Sequence, residues 1–511
     1  MKPLTPPHRA SGPKHHRKAD DGALRHDIER LGRENELLRQ QLAEEVKHTA
    51  EQDKQLNEQR EKIAELERQL AAHKQNSRNS SKPPSSDGLA GQSRQRGRCK
   101  PRSKRKPGGQ PGHPGHHRTL VPPEKVRETH VVLPTECSHC GERMPDQLEN
   151  AKVIGDPQRH QVVEVPTVAA YIIEYQCHRV MCPHCSNSTR AVIPKEVERQ
   201  TGPRLTALVA YLTVTCRMPR RVLENVLAQV LGTEISLGNT QTCWEEASEA
   251  VAAPCLELEQ QLSQETVLNI DETGWRTDGA KRYLWAFVAA SFVVYTIART
   301  RGSELLIQML GAVFEGVLCS DRFSGYLKYH KGRAQFCWAH LKRNILGVLD
   351  FTKKTATDQF CRDALAQHAR LFRLWHKFRG DRIDRSQLIL RSIPIQKKLF
   401  TLAEENLDSP DRQVRNLAGV LFEHSHRLFL FLEEPGVEPT NNSAERALRT
   451  AVQWRKVSFG TRSEAGELAT ARLLTVTQTC WIQKGNCLQF LFDAISRHRK
   501  GLAASSLLTT K

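Results

Sequence analysis

Two sets of residues in this 511-residue chain have the types and spacing to do chemistry. The first is a pair of cysteine pairs, Cys137-x-x-Cys140 and Cys182-x-x-Cys185, in the contexts C-S-H-C-G and C-P-H-C-S. Four thiolates carried on two tight turns match the tetrahedral demand of a structural Zn²⁺. The 41 residues between the pairs, 141–181, are more than a compact ribbon needs, and a stretch that reads as strand-rich, Val162–Gln176, fills them. Cys177, His139 and His184 are alternative ligands, and free buried cysteines are the reading without a metal. A closed four-cysteine site would be structural, not catalytic.

The second set is acidic. Asp271 ends the apolar run VLNID, and Asp321 follows VLCS. Side chains alternate along a strand, so Asp271 and its neighbour Glu272 face opposite ways and only one can join a given site. Two acids at the ends of neighbouring strands can converge on a hard divalent cation such as Mg²⁺. Two such ions would clamp the attacking and leaving oxygens of a phosphodiester displacement. Each Asp taken alone is more often a turn or N-cap residue. The third acid, Glu445 in TNNSAERALR, has an ordinary role open to it: with Asn442 as N-cap, it is the N3 residue of a capping box. The basic residues around it (Arg446, Arg449, Arg455, Lys456) suit contacts to a DNA backbone, or a solvated helix face.

These residues need elements to hold them. Tyr283–Ala290 and Phe292–Ala298 are aromatic and β-branched runs that read as strands, Ser303–Leu310 reads as a helix, and Gly316–Cys319 as a buried strand. Ala334–Phe336 opens another strand and leads into the helix Ala339–Leu349, giving a layered α/β unit. Residues 350–435 read as long amphipathic helices, including one over Gln413–Glu433, and a last helical region runs from Asn442. Upstream, apolar stripes at Leu205, Leu208, Val209 and Leu212, then at Val222, Leu223, Val226, Leu227 and Val230 up to Gly232, mark two helices. A third starts near Asn239, with Trp244 inward. Short helices on tight turns resemble a helix-turn-helix unit, and a plain helical connector fits equally well.

The N-terminal part differs in kind. Residues 28–70 keep one heptad frame, with Ile28, Asn35, Leu42, Thr49, Leu56, Ile63 and Leu70 at a and Leu31, Leu38, Glu45, Gln52, Gln59 and Leu66 at d. Asn35 among leucines is a device that fixes register in two-stranded coiled coils, so self-association is expected. After Pro83 the chain cannot stay helical. Arg94–Lys106 then carries eight basic residues in thirteen (Arg94, Arg96, Arg98, Lys100, Arg102, Lys104, Arg105, Lys106), followed by the Gly/Pro-rich Pro107–His117. This reads as a flexible basic linker that grips phosphates without regard to sequence.

The charge agrees. Lys and Arg number 76 against 57 Asp and Glu, a formal net charge of +19. Residues 1–120 carry 26 basic and 15 acidic residues, so +11 of the excess sits there. Such asymmetry points to a polyanionic partner, most simply nucleic acid. The longest apolar stretch, Leu284–Ala298, is shorter than the roughly 20 residues of a spanning helix, so no membrane partner is expected. The N-terminal residues lack the apolar core of a secretory signal, and fourteen cysteines in so long a chain make no disulfide scaffold, so a reducing, cytoplasmic setting is expected.

Ordered blocks then carry a resemblance over nearly the whole length. They are NSSKPPSSDG (79–88), GGQPGHPG (108–115), the two CxxC knuckles, IDETGWR (270–276), LCSDRFSGY (318–326), CWAHLKRN (337–344), NNSAERALR (441–449) and RKVSFGTRSEAG (455–466). The chain resembles the large transposase of the insertion-sequence-66 family of bacterial mobile elements. The resemblance implies a ribonuclease-H-like catalytic domain with a DDE triad, matched here by Asp271, Asp321 and Glu445. The 123 residues between Asp321 and Glu445 then fit a helical insertion. Cys337-x-x-His340 is similar to the C-x-x-H signature of several transposase groups, where it supports the active site; a stray Cys and His at a helix start is the plainer alternative. The second knuckle departs from the pattern, with Ser186 where Gly is usual.

The expected architecture is therefore a multidomain α/β chain. It comprises a coiled coil (22–75), a basic linker (76–125), a zinc-binding module (126–198) and a helix-turn-helix-like region (199–262). A ribonuclease-H-like domain (263–465, insertion about 350–435) and a C-terminal helical region (466–511) complete it. The expected activity is Mg²⁺- or Mn²⁺-dependent DNA cleavage and strand transfer, with structural Zn²⁺. The expected partners are element ends and target DNA, a second copy of the chain, and small accessory proteins encoded beside it. A dimeric zinc-containing DNA-binding regulator, or an inactive domesticated copy, is the alternative without catalysis.

Overall fold

The computed structural model describes residues 21–76, 78–79, 119–351 and 354–508. It divides into two units, residues 1–87 and 88–511. Arg94–Lys106 lie outside the described residues.

Among the described residues, the first unit contains one helix, α1 (Asp21–Lys74), of 54 residues. Its Leu, Glu, Gln and Arg content favours helix strongly, and no Pro interrupts it. Ile28, Leu31, Leu38, Leu42, Leu56, Ile63, Leu66 and Leu70 are all exposed, so the heptad seam runs along the outside of the single chain. The Asn35 side-chain amide donates to the Leu31 carbonyl at 3.0 Å.

The second unit begins with a segment that has little core. Strands β1 (Arg179–Met181) and β2 (Ser188–Arg190) pair antiparallel around the Cys182 knuckle. The Val162–Gln176 stretch, expected to be strand-rich, forms no ladder. Its apolar alternation is present, but no strand among the described residues runs beside it. Tyr171 and Ile172 stand in solvent, and the Ala170 N–H donates instead to the carbonyl of Leu231 at 2.9 Å.

Helices α2 (Pro203–Val214), α3 (Arg220–Leu231), α4 (Leu237–Ala250) and α5 (Ala252–Gln261) follow. Gly232 ends α3 in the left-handed conformation (φ +61), which glycine adopts without a Cβ clash. Ser236 caps α4 by accepting from the Asn239 N–H, so the third helix starts two residues before Asn239. Leu223 and Leu227 are buried with Val209 and Cys243, while Val222 and Val230 face solvent. The α3 stripe is therefore narrower than its sequence suggests. The other side of α2 and α4, through Ala207, Ala210, Val214, Trp244 and Ala247, joins the main core.

That core is built on a five-stranded mixed sheet. Its strands are β3 (Val267–Thr277), β4 (Ala280–Val288), β5 (Val293–Ala298), β6 (Val317–Ser320) and β7 (Ala334–Phe336). The order across the sheet is β5-β4-β3-β6-β7. β3, β4 and β5 pair antiparallel, and β6 and β7 join parallel. Helices α6 (Ser303–Leu310) and α7 (Ser324–Tyr329) flank β6, and α8 (Trp338–Phe351) follows β7. Alternation splits the sheet between two cores. Leu268, Ile270 and Leu318 pack into the main one, whereas Val317, Cys319 and Phe336 pack into a second core with the later helices.

Those later helices are α9 (Thr355–Arg379), α10 (Arg385–Glu404), α11 (Arg412–Glu423) and α12 (Ser425–Glu433). The single helix expected over Gln413–Glu433 is broken at His424 (φ −111, ψ 21). The break lets Leu428, Phe431 and Leu432 turn into the second core, and the His424 ring meets Phe336 edge-on, 5.3 Å between centroids.

Three helices close the chain: α13 (Asn442–Ser458), α14 (Glu464–Ile482) and α15 (Cys487–Arg499). α14 covers the open edge of the sheet. Its Thr475 and Thr479 hydroxyls accept the Tyr295 and Val293 N–H groups of β5 at 3.0 and 3.2 Å. Unpaired edge donors would otherwise invite another strand. No described helix is long and apolar enough to cross a membrane.

Candidate active site

β3 and β6 are parallel neighbours with a constant offset: Val267 faces Val317, Leu268 faces Leu318, and Asn269 faces Cys319. The same offset of fifty carries Asp271 to the level of Asp321, one residue past the end of β6. Alternation along β3 puts Asp271 on the face of Val267, which packs against the second core, and sends Glu272 to the opposite face. The Asp321 carboxylate accepts from the Phe323 N–H at 2.8 Å, a local turn that shapes the start of α7.

Glu272 is not idle on its face. Its side chain is almost fully buried and accepts from Arg301 Nε at 2.7 Å and from the Tyr326 hydroxyl. Tyr326 lies on α7, just beyond Asp321, and the Arg301 guanidinium stacks 4.1 Å from the Phe323 ring centroid. The loop bearing Asp321 is thereby pinned to the strand bearing Asp271. Burial first, then the charges of Glu272, Asp321 and Glu445, push the Asp271 carboxyl well above the usual carboxylate range.

Glu445 enters from α13. The helix starts at Asn442 with Asn441 as its N-cap, and no side-chain cap bond forms, so the expected capping box does not exist. The Glu445 side chain turns the other way. It accepts from Arg343 Nη2 at 2.8 Å, and His340 Nε2 stands 3.7 Å off, both on α8. Asn441 sets this entry. Its side-chain amide donates to the Ile270 carbonyl at 2.8 Å, and its N–H donates to Cys337 Sγ at 3.2 Å. The Cys337 N–H donates in turn to the Ser320 carbonyl at 3.0 Å. One buried asparagine thus ties together the blocks that carry all three acids.

Among the described residues, one group of His, Cys, Asp or Glu gathers three ligand atoms within 4.8 Å: Cys337, His340 and Glu445. Burial lowers the affinity of His340 for a proton, helped by Arg343 and opposed by Glu445. Burial raises the Cys337 thiol to about 11.

The cysteine pairs form two knuckles with the same bonding. The Cys137 N–H donates to the Glu142 carbonyl and the Gly141 N–H to the Cys137 carbonyl; Cys182, Asn187 and Ser186 repeat the pattern. Gly141 (φ +76) and Ser186 (φ +57) both take the left-handed conformation, so Ser186 does the work of the usual glycine. Backbone N–H groups at Cys140 and Cys185 lead the causes that draw the Cys137 and Cys182 thiols below their ordinary value. The structure brings each pair together but does not gather the four thiols into one cluster. Of the expected DNA-contacting residues on α13, Arg446, Arg449 and Lys456 are exposed, and Arg455 is half-buried against Thr273 at 3.5 Å.

Arg343, Asn441 and Tyr326 went unassigned in the sequence, although each lies inside a quoted block. Arg301 lies in none, and only its stacking and ion pair reveal it.

The family model described as "Transposase IS66 family" matches residues 198–469, which is 272 of the 511 residues. The chain belongs to the IS66 transposase family. The match includes Asp271, Asp321 and Glu445 and stops short of the cysteine knuckles. A second model, "Family of unknown function (DUF6444)", matches residues 24–119. Among curated relatives, the uncharacterized protein y4qI of Sinorhizobium fredii is 28% identical over 250 residues, 44% of this chain and 46% of that one. The uncharacterized protein y4hP of the same organism is 23% identical over 421 residues, 73% of each chain. The chain thus spans about half the length of the first of these relatives.

Proposed function

We propose that this IS66-family chain is a DDE transposase whose acids Asp271, Asp321 and Glu445 hold divalent metal ions, Mg²⁺ or Mn²⁺, and whose reactions are DNA cleavage and strand transfer. The single observation that carries this is the parallel register of β3 and β6, whose offset of fifty, carried two residues on, brings Asp271 level with Asp321 just past the end of β6. The sheet order, with three antiparallel strands followed by two parallel ones, supports a ribonuclease-H-like reading.

The donor set fits a hard cation. Asp271 and Asp321 stand at one level of the sheet, Glu445 approaches from α13, and burial first, then the neighbouring carboxylate charges, raise the Asp271 carboxyl. Bound metal would supply activation of water or a 3′-hydroxyl and neutralisation of the charge that develops on the phosphodiester. The protein's own residues hold the acids in place. Tyr326 and Arg301 fix the Asp321 loop through Glu272, and Asn441 fixes the start of α13. Arg343 holds Glu445 and would exchange that carboxylate for the cation. The exposed Arg446, Arg449 and Lys456, with Arg94–Lys106, would contact DNA phosphates.

We further propose that Cys137, Cys140, Cys182 and Cys185 close on one structural Zn²⁺. The paired knuckles and their N–H donors to sulfur support this. The exposed heptad seam of α1 supports pairing with a second copy of the chain, and DNA ends, target DNA and small accessory proteins are the other proposed partners.

The test is cleavage of end-containing DNA with Mg²⁺ by Asp271→Asn, Asp321→Asn and Glu445→Gln variants that still fold and bind DNA. Each should lose activity. Normal activity in any one removes that residue from the triad, and no nicking by the parent under any metal condition favours a DNA-binding regulator instead.

A further inference from the structure

Phe459 closes α13 in the left-handed conformation (φ +61, ψ 13), with 82% of its surface exposed. Both features are unfavourable for a phenylalanine. A bulky side chain resists positive φ, and the position after a helix is one where glycine usually sits. Such an outlier persists only where its surroundings hold it.

Here they do. The next residue, Gly460 (φ +106), lies so close to β3 that a Cβ there would stand 2.1 Å from the Arg276 carbonyl oxygen. The Thr461 N–H donates to that same carbonyl at 2.9 Å, and the Asp278 N–H donates to the Thr461 carbonyl at 2.9 Å. The Thr461 hydroxyl lies 2.8 Å from that of Thr277 and accepts from Trp275 Nε1 at 3.3 Å. The segment is locked onto the β3–β4 hairpin while its aromatic ring is left in solvent. Exposed cations lie close to Phe459 in the chain and on the hairpin to which its segment is bonded, and the exposed acid Glu464 is paired with Arg299. Lys456 and Arg462 flank it in the chain, and Arg276 and Lys281 are cross-strand partners on the hairpin; Asp278 is the acid at the turn.

We propose that Phe459 is a stacking platform for an unpaired DNA base. An aromatic face set among cations receives the π-face of any base while the cations meet the flanking phosphates. A partner protein would need a broad apolar surface; Val457 is an exposed apolar neighbour in the chain, but Lys456, Arg462, Arg276 and Lys281 are charged and exposed. Glu445 and Phe459 lie fourteen residues apart along α13 and its cap, so the platform stands about 20 Å from the third acid. The base it takes is several nucleotides from the bond that is cut, which makes this a holding site for a displaced strand. The inference rests on the DNA-processing reading above.

The test measures binding of the full-length protein to fluorescein-labelled single-stranded oligothymidylate and to a mixed-sequence duplex of the same length. Phe459→Gly is the informative variant, because glycine suits the backbone conformation and the fold should melt no earlier. It should bind the single strand about tenfold more weakly and the duplex unchanged, and Phe459→Trp should keep the single-strand affinity. Parent-like single-strand binding by Phe459→Gly overturns the proposal, as does an equal loss on both probes. If that happens while Asp271→Asn abolishes cleavage, only the stacking role falls. A parent that binds neither probe sinks the DNA-processing reading together with it.

Discussion

The side-chain amide of Asn441, four residues before Glu445, donates at 2.8 Å to the carbonyl of Ile270, one residue before Asp271. This bond joins the strand of the first acid to the helix of the third. Asn441 is 1% exposed. Asn441→Ala leaves a buried carbonyl unpaired and should cost about 1–3 kcal/mol in urea unfolding. DNA cleavage should fall by more than the lost stability accounts for. Full activity in a destabilised variant would show that α13 is aligned by other contacts.

Arg343 and a divalent cation compete for the same Glu445 carboxylate. Arg343→Met removes the competitor and keeps much of the stem's packing. Mn²⁺ should then bind more tightly in calorimetric titration, on the order of several-fold. Weaker Mn²⁺ binding would mean that Arg343 orients Glu445 for the metal instead of withholding it.

His368 is buried in the second core, its ring stacked on Phe372 at 4.3 Å, and burial lowers its pKa to about 4. The unfolded chain binds that proton near the ordinary 6.5, more tightly than the folded one. Stability from this group is therefore complete above about pH 6.5 and is lost as pH falls toward 4. The loss is on the order of 3 kcal/mol. Melting temperatures of the parent and of His368→Phe across pH 4–7 should diverge at the acid end, with the parent falling further. Parallel curves would show that the ring is solvated.

Zinc content should be about one ion per chain in protein purified without chelator, as for other four-cysteine structural sites. Cys137→Ser and Cys182→Ser should each reduce it. Ser186→Gly should raise the melting temperature of the loaded protein, because it relieves a non-glycine residue at φ +57. Elemental analysis that finds no zinc in the parent would end the proposal.

Much of the sheet was legible in the sequence. β-branched and aromatic runs bounded by Gly and polar residues marked β4, β5 and β6, and the helix expected over Ser303–Leu310 has the bounds of α6. Strand alternation alone also separates Asp271 from Glu272. Three expectations failed where local pattern meets a tertiary choice. The apolar alternation of Val162–Gln176 found no partner strand, the helix over Gln413–Glu433 broke to fill the second core, and Asn442 lost the cap to Asn441.

The sequence by itself determined the inventory: which acids, which thiols, which charged runs, and the period of each element. It did so because side-chain type and spacing are local properties. Only the tertiary structure decided the pairings. That Glu445 turns to Arg343, 102 residues away, and Glu272 to Arg301 and Tyr326, depends on strand order and helix docking. Those arise from burial of both sheet faces at once, which no single stretch of sequence encodes.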